Sequence, residues 1–293
     1  MGCAAVFGEG LSVTSVENIY MEEKYIICED SLEGIFTAVY DAYALREGHE
    51  HLHVQVGEEG NYRLFATYLH SKADSVKTDK VIRTLKERLG EHVFGSICRA
   101  AASDGVDKGD AVYHTIVDGI TGGHGGRTME NLRNPYVNRA FELARRTANE
   151  AHYELEFIRF QELKQRILYA KIGPKNQVMP FIMPHFADRL APEDFMIHDE
   201  HRGLFGVHPA HGEWYLVSGV NQEAERLQDV IQYSDKEEQY QELFTLFHET
   251  IAIRERNNRR LQRQMLPLRF QDYMVEFLRN DESAAARNRQ IRH

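Results

Sequence analysis

Apolar residues recur at three- and four-residue steps through residues 136–160. Val137, Phe141, Ala144, Ala148, Ala151, Leu155 and Ile158 make one stripe of a long helix. A second stripe, Arg145, Asn149, His152, Glu156 and Arg159, keeps the same steps. At about 100° per residue it falls roughly 90° round the helix from the first. A row of large polar residues beside a core suits a cleft floor. It also suits an internally paired flank, because Arg145–Asn149, His152–Glu156 and Glu156–Arg159 are helix neighbours.

Around this helix the pattern changes period. Residues 1–22 have none and read as a loose leader. Residues 24–28 predict a short buried strand. Asp30 or Ser31 then caps a helix with Leu32, Ile35, Phe36, Val39, Tyr40 and Tyr43 inward, ended by Gly48. Residues 49–68 predict two β-segments around the turn signal Gly57–Gly60. There His49, His51 and His53 alternate and would share a strand face. Residues 77–103 and 107–120 predict helices. The glycine-rich stretch 119–126 reads as a plain linker, since a P-loop's Lys-Ser/Thr ending and preceding strand are missing. Pro135 suits the start of the long helix. Short runs at 167–172, 178–182, 194–198, 203–208 and 214–217 predict an antiparallel meander. Helical spacing returns over 221–231 and 236–265, with Phe244, Phe247 and Ile251 inward.

The expected class is α+β, mostly helical, with a short antiparallel β-meander in the second half. The expected organisation is a leader over 1–22, an N-terminal α/β part over 23–130, a continuous unit over 131–279 and a tail over 280–293.

Composition narrows the function classes. An apolar fraction of 42% with 27% charged residues is ordinary for a globular protein. No apolar run approaches the roughly 20 residues of a bilayer span, and the start lacks a basic secretory segment, so a cytoplasmic protein without a membrane role is expected. Cys3, Cys28 and Cys98 are too few and too scattered for a disulfide framework or a metal knuckle. A net charge of −10 speaks against indiscriminate coating of nucleic acid but allows a local basic groove. Arg256, Arg259, Arg260 and Arg263 share one face of the C-terminal helix, within about 100° of arc. Such a ridge suits an anionic partner, through forked phosphate contacts, or a solvated face neutralised within the chain.

The meander gathers Lys171, Lys175, His185, Asp188, Arg189, His198, Asp199, Arg202, His208 and His211. Structural hydrogen bonding, contact with a polyanion or nucleotide, and a metal centre all remain open for this set. For His49, His51 and His53 a solvated face is preferred to a metal site, because no carboxylate or cysteine stands nearby at ligand spacing. The expected metal set is therefore none, and no cofactor is expected. No GxSxG elbow, dinucleotide fingerprint, kinase loop or HExxH occurs.

Taken together, YIICEDSLEGIFTAVYDAY (25–43), KGDAVYHTIVDGI (108–120), NPYVNRAFELARRTANEAHYELEFIRFQEL (134–163), ILYAKIGPKNQVMPFIMPHFADRL (167–190), DFMIHDEHRGLFGVHP (194–209) and IAIRERNNRRLQRQMLPLRF (251–270) resemble one bacterial family. It is called "probable DNA metabolism protein", a domain of unknown function. Its members accompany a radical S-adenosylmethionine protein with a DNA-repair or modification role, or are fused to a uracil-DNA-glycosylase-like domain. The resemblance implies a DNA-repair context and supplies no catalytic residue. It leads one to expect arginine where this chain has His114.

The expected function is that of a DNA-repair accessory that binds DNA and works with a radical S-adenosylmethionine or glycosylase-like partner. The alternative is a DNA-processing enzyme, nuclease-like or base-modifying, whose cleft joins His152, Glu156, His185 and Asp188. Candidate nucleic-acid contacts are Arg145, Arg159, Arg189, Arg202, Arg256, Arg259, Arg260 and Arg263.

Overall fold

The computed structural model describes residues 22–58 and 63–218, and residues 232–234, 236, 237, 239–241, 243, 265–274 and 277 of the C-terminal stretch. β1 (Glu23–Cys28) is buried along its last four residues, which suits a central strand covered on both faces. Ser31 caps α1 (Leu32–Ala44), its hydroxyl accepting the Gly34 N–H at 2.9 Å. β2 (Leu52–Val56) and β3 (Ala66–His70) do not pair with each other. Each pairs in parallel with β1, giving the order β2-β1-β3.

Asp74 caps α2 (Ser75–Ala101), which is kinked where Gly90 takes φ 81°. α3 (Lys108–Ile120) and α4 (Pro135–Phe157) follow, the latter capped by Asn134 and started by Pro135. Ile26, Cys28, Leu52 and Val54 face α1–α4 across the first core, which takes in Ala140, Leu143 and Ala144 of α4.

The second sheet has the order β4-β5-β6-β7-β8: β4 (Gln161–Glu162), β5 (Leu168–Ile172), β6 (Phe195–Asp199), β7 (Leu204–His208) and β8 (Tyr215–Ser218). The α+β class holds, and the meander needs one correction. β5 and β6 are parallel, while the other neighbours are antiparallel. The reason is that the run expected as a strand over 178–182 enters α5 (Met179–Arg189), the crossover that a parallel pair requires. Met179, Ile182, Met183 and Phe186 recur at helical steps and seat α5 in the second core, with Ala151 of α4, Ala170, Phe195 and Ile197.

A second correction concerns the histidines. His49 and His51 form a 3-10 turn, and only His53 lies on a strand. Residues 236, 237, 239–241 and 243 are helical, and α6 (Leu268–Gln271) packs Phe270 against Tyr153 and Phe157. Residues 1–21 of the expected leader, the tail and most of the remaining residues of the helices expected over 221–265 lie outside the described residues. Among the described residues, no helix is long and apolar enough to cross a membrane.

Candidate functional site

Among the described residues, a group of His, Asp and Glu side chains lies where α3 meets the first sheet. Gly109 makes the approach possible: a Cβ there would stand 2.6 Å from the Val54 carbonyl oxygen of β2. The next residue, Asp110, thereby reaches His53, whose Nδ1 is 3.1 Å from both carboxylate oxygens. His53 Nε2 is 3.0 Å from Glu23 Oε2 on β1, and His51 Nδ1 is 3.3 Å from Glu23 Oε1. One turn along α3, His114 places Nε2 3.3 Å from Asp110 Oδ1. That is ion-pair range, although the buried Nε2 makes no hydrogen bond of good geometry. His114 is only 9% exposed and stacks on Tyr136 of α4 at 4.1 Å, while Tyr25 stacks on His53 at 4.8 Å.

The electrostatics follow from this packing. Burial opposes ionisation of Asp110, but the imidazoles of His114 and His53 outweigh it and hold the carboxyl at about 2. The Asp110 carboxylate raises the pKa of His53 against the effect of burial, with Glu23 adding to it. Burial and the neighbouring His114 lower that of His49, whose Nδ1 is 2.7 Å from the Tyr113 hydroxyl.

Two cavities flank the group. One, of about 300 Å³, is lined by Tyr25, His53, Arg63, Asp110 and Tyr136 among others. The other, of about 730 Å³, is lined by His49, Glu50, His114, Asp118, Asn134 and Tyr136 with four more residues. Tyr136 borders both.

A second polar group is sealed between α4, β6 and the loop after β5. Glu150 is 2% exposed and accepts from the backbone of Lys175 (3.1 Å) and Asn176 (2.7 Å), with Arg269 3.1 Å away. Asp199 is fully buried and accepts from the His201 and Arg202 N–H groups and from Arg202 Nη1. Glu154, also buried, is pushed up to about 8 by desolvation and by the charge of Glu150, against the pull of Arg269. The two glutamates belong to the face of α4 that carries Val137, Ala140, Leu143, Ala144, Thr147 and Ala151 inward. Reading Phe141 as inward turned the expected face aside; it is 40% exposed.

The sequence-expected residues fall elsewhere. Arg145, Asn149, His152 and Glu156 are exposed, and His152 pairs with Glu156 at 3.1 Å. Arg159 donates to the Glu156 and Ile158 carbonyls. His185, Asp188 and Arg189 are exposed on α5. No hydrogen bond or ion pair among the described residues joins His152 or Glu156 to His185 or Asp188. Arg202 is committed to Asp199 and to the Pro174 and Lys175 carbonyls. Arg256, Arg259, Arg260 and Arg263 lie outside the described residues. The signal for Asp110 and His114 was their four-residue spacing on one helix, which the histidines of residues 49–53 could not reveal alone.

No curated protein matches the chain. One family does, described as a domain of unknown function, DUF4130, over residues 106–276. The match begins just before α3, so it takes in Asp110, His114, Tyr136 and the sealed glutamates, while Glu23 and His53 precede it. Matched over more than half its length, the chain belongs to the DUF4130 family.

Proposed function

We propose that the protein is a DNA-metabolism accessory that binds nucleic acid and works with a separate enzyme, a radical S-adenosylmethionine protein or a uracil-DNA-glycosylase-like protein. The partner half of this reading rests on the resemblance of residues 25–270 to the DNA-metabolism family. The binding half is carried by the lining of the 730 Å³ cavity: the rings of His49, His114 and Tyr136, the carboxylates of Glu50 and Asp118, and no Lys or Arg. Such a lining favours a base over a phosphate, since rings stack on any base and carboxylates accept from exocyclic amines. Phosphates would meet Arg127 and Arg133, both exposed on the segment between Thr121 and Asn134 that supplies part of the wall.

Fluorescence anisotropy with a labelled single strand tests this. Tyr136→Ala should weaken binding by about 1–3 kcal/mol, and Tyr136→Phe should not. Replacing Arg127 and Arg133 together with glutamine should flatten the salt slope of log affinity by about 1.4. Unchanged affinity in Tyr136→Ala, with an unchanged slope in the double variant, would refute the assignment.

A second reading, a DNA-processing enzyme, is favoured by the same cavity, where His114 has a carboxylate 3.3 Å away. It expects turnover of damaged DNA by the purified chain alone. The first reading expects binding without turnover until the partner is added.

A further inference from the structure

We propose that His53, Asp110 and His114 form a binding site for one divalent transition-metal ion, positioned by Glu23. Their ligand atoms lie within 4.8 Å of one another. The individual edges carry the inference. Bonds of about 2.0–2.1 Å at a tetrahedral centre put neighbouring ligand atoms roughly 3.3–3.4 Å apart. Asp110 Oδ1 stands 3.3 Å from His114 Nε2 and 3.1 Å from His53 Nδ1. The remaining edge, between the two imidazoles, is no longer than 4.8 Å, so it needs to close by no more than about 1.5 Å.

The unpartnered nitrogen of His114 is an independent observation. His114 is nine-tenths buried, and its Nε2 has no hydrogen-bond partner although a carboxylate oxygen is close by. Leaving a buried ring nitrogen unsatisfied is costly, because it has given up its water and gained no partner. A buried imidazole nitrogen that stands close to a carboxylate oxygen without a hydrogen bond is placed to share a metal ion with that carboxylate.

His53 completes the arrangement. Its Nε2 meets Glu23 at 3.0 Å, so an Nε2–H donated there leaves the Nδ1 lone pair on the side of Asp110. A carboxylate holding the far nitrogen of a ligating histidine fixes the tautomer and the ring plane. Two imidazoles and one carboxylate suit zinc, iron(II) or manganese better than magnesium or calcium, which prefer all-oxygen sets. A three-ligand set also leaves a coordination position for water or substrate. His53 and Asp110 line the smaller cavity and His114 lines the larger, so either could supply it.

The test uses the full chain, freed of metal by dialysis against chelator and studied without DNA, so its result is separate from that for nucleic-acid binding. Titration with zinc chloride by calorimetry should give one saturable site per chain, and cobalt(II) should give visible absorption bands of a four- or five-coordinate site. Asp110→Asn and His114→Gln should abolish both signals. Glu23→Gln should weaken zinc binding about 10–100-fold while keeping the stoichiometry. His152→Gln and His185→Gln, exposed controls, should change nothing. Circular dichroism establishes that each variant is folded. The wild-type cobalt spectrum stands without any variant: its absence, or zinc affinity unchanged in folded Asp110→Asn, would overturn the site.

Discussion

Glu154 illustrates how one side chain can set the pH response of the whole chain. Removal from water is the largest influence, Glu150 adds like charge, Arg269 partly offsets both, and Asp199 adds more repulsion. The folded carboxyl therefore keeps its proton up to about 8, where an ordinary glutamate would lose it near 4.5. Between those values the unfolded chain binds fewer protons than the folded one, so stability falls as pH rises and levels off above the folded value. Every tenfold difference in proton affinity between the two states corresponds to about 1.4 kcal/mol, so the fall should amount to roughly a few kcal/mol. Urea denaturation across that window should show it, and Glu154→Gln should flatten the curve by abolishing the titration. An equally steep decline in the variant would assign the pH response to other groups.

At the scale of elements, the contact of α3 with β2 is the most exacting in the fold. Gly109 lies in the first turn of α3 with its Cα against the Val54 carbonyl, and a methyl group there would also meet Val56 Cγ2 at 3.1 Å. Neither atom belongs to the end of a flexible side chain, so the helix itself must move. Gly109→Ala should cost about 1–3 kcal/mol by overpacking, more than the small gain in helix propensity at that position. A lowered urea midpoint with an unchanged m-value would show it. Because Asp110 and His114 ride on the same helix, the variant should also weaken zinc binding without removing a ligand. A variant as stable as the parent would mean that α3 can slide, and that its distance from β2 is not fixed by glycine.

At the scale of the whole molecule, α4 joins two cores. Ala140, Leu143 and Ala144 are buried in the first and Ala151 in the second. The joint is strengthened by Glu150 on the Lys175–Asn176 loop, by the Gln177 N–H on the Ala102 carbonyl (2.8 Å) and by the Asp104 N–H on the Asn176 side chain (2.9 Å). A rigid helix shared in this way should make unfolding cooperative. Trp214, the single tryptophan of the chain, packs against the second core and reports on it by fluorescence, while far-ultraviolet dichroism reports on both. The two signals should fall together. Asn149→Pro, exposed and between the cores, costs about 3 kcal/mol or more in a helix interior and should separate them. Separate transitions in the parent chain would contradict the coupling.

Local signals determined most of the elements. Ser31, one of two adjacent cap candidates, and Pro135 marked helix starts because capping depends on residues three or fewer positions away. The 3.6-residue period placed α1 to α4, although on α4 the buried face lies to one side of the stripe that includes Phe141. The apolar run 178–182 was misread because a short buried strand and a buried helical turn look alike in sequence. The pairing of β2 and β3 with β1, and of β5 with β6, depended on which strand lost water on both faces, a property of the assembled layers. The same holds for the site. His53 and Asp110 are 57 residues apart, and only the passage of Gly109 across β2 brings them within 3.1 Å. Side-chain spacing could place His114 over Asp110 on one helix; tertiary packing alone decided that a strand histidine would meet them there, because a contact between distant segments is fixed by the closest approach of their backbones.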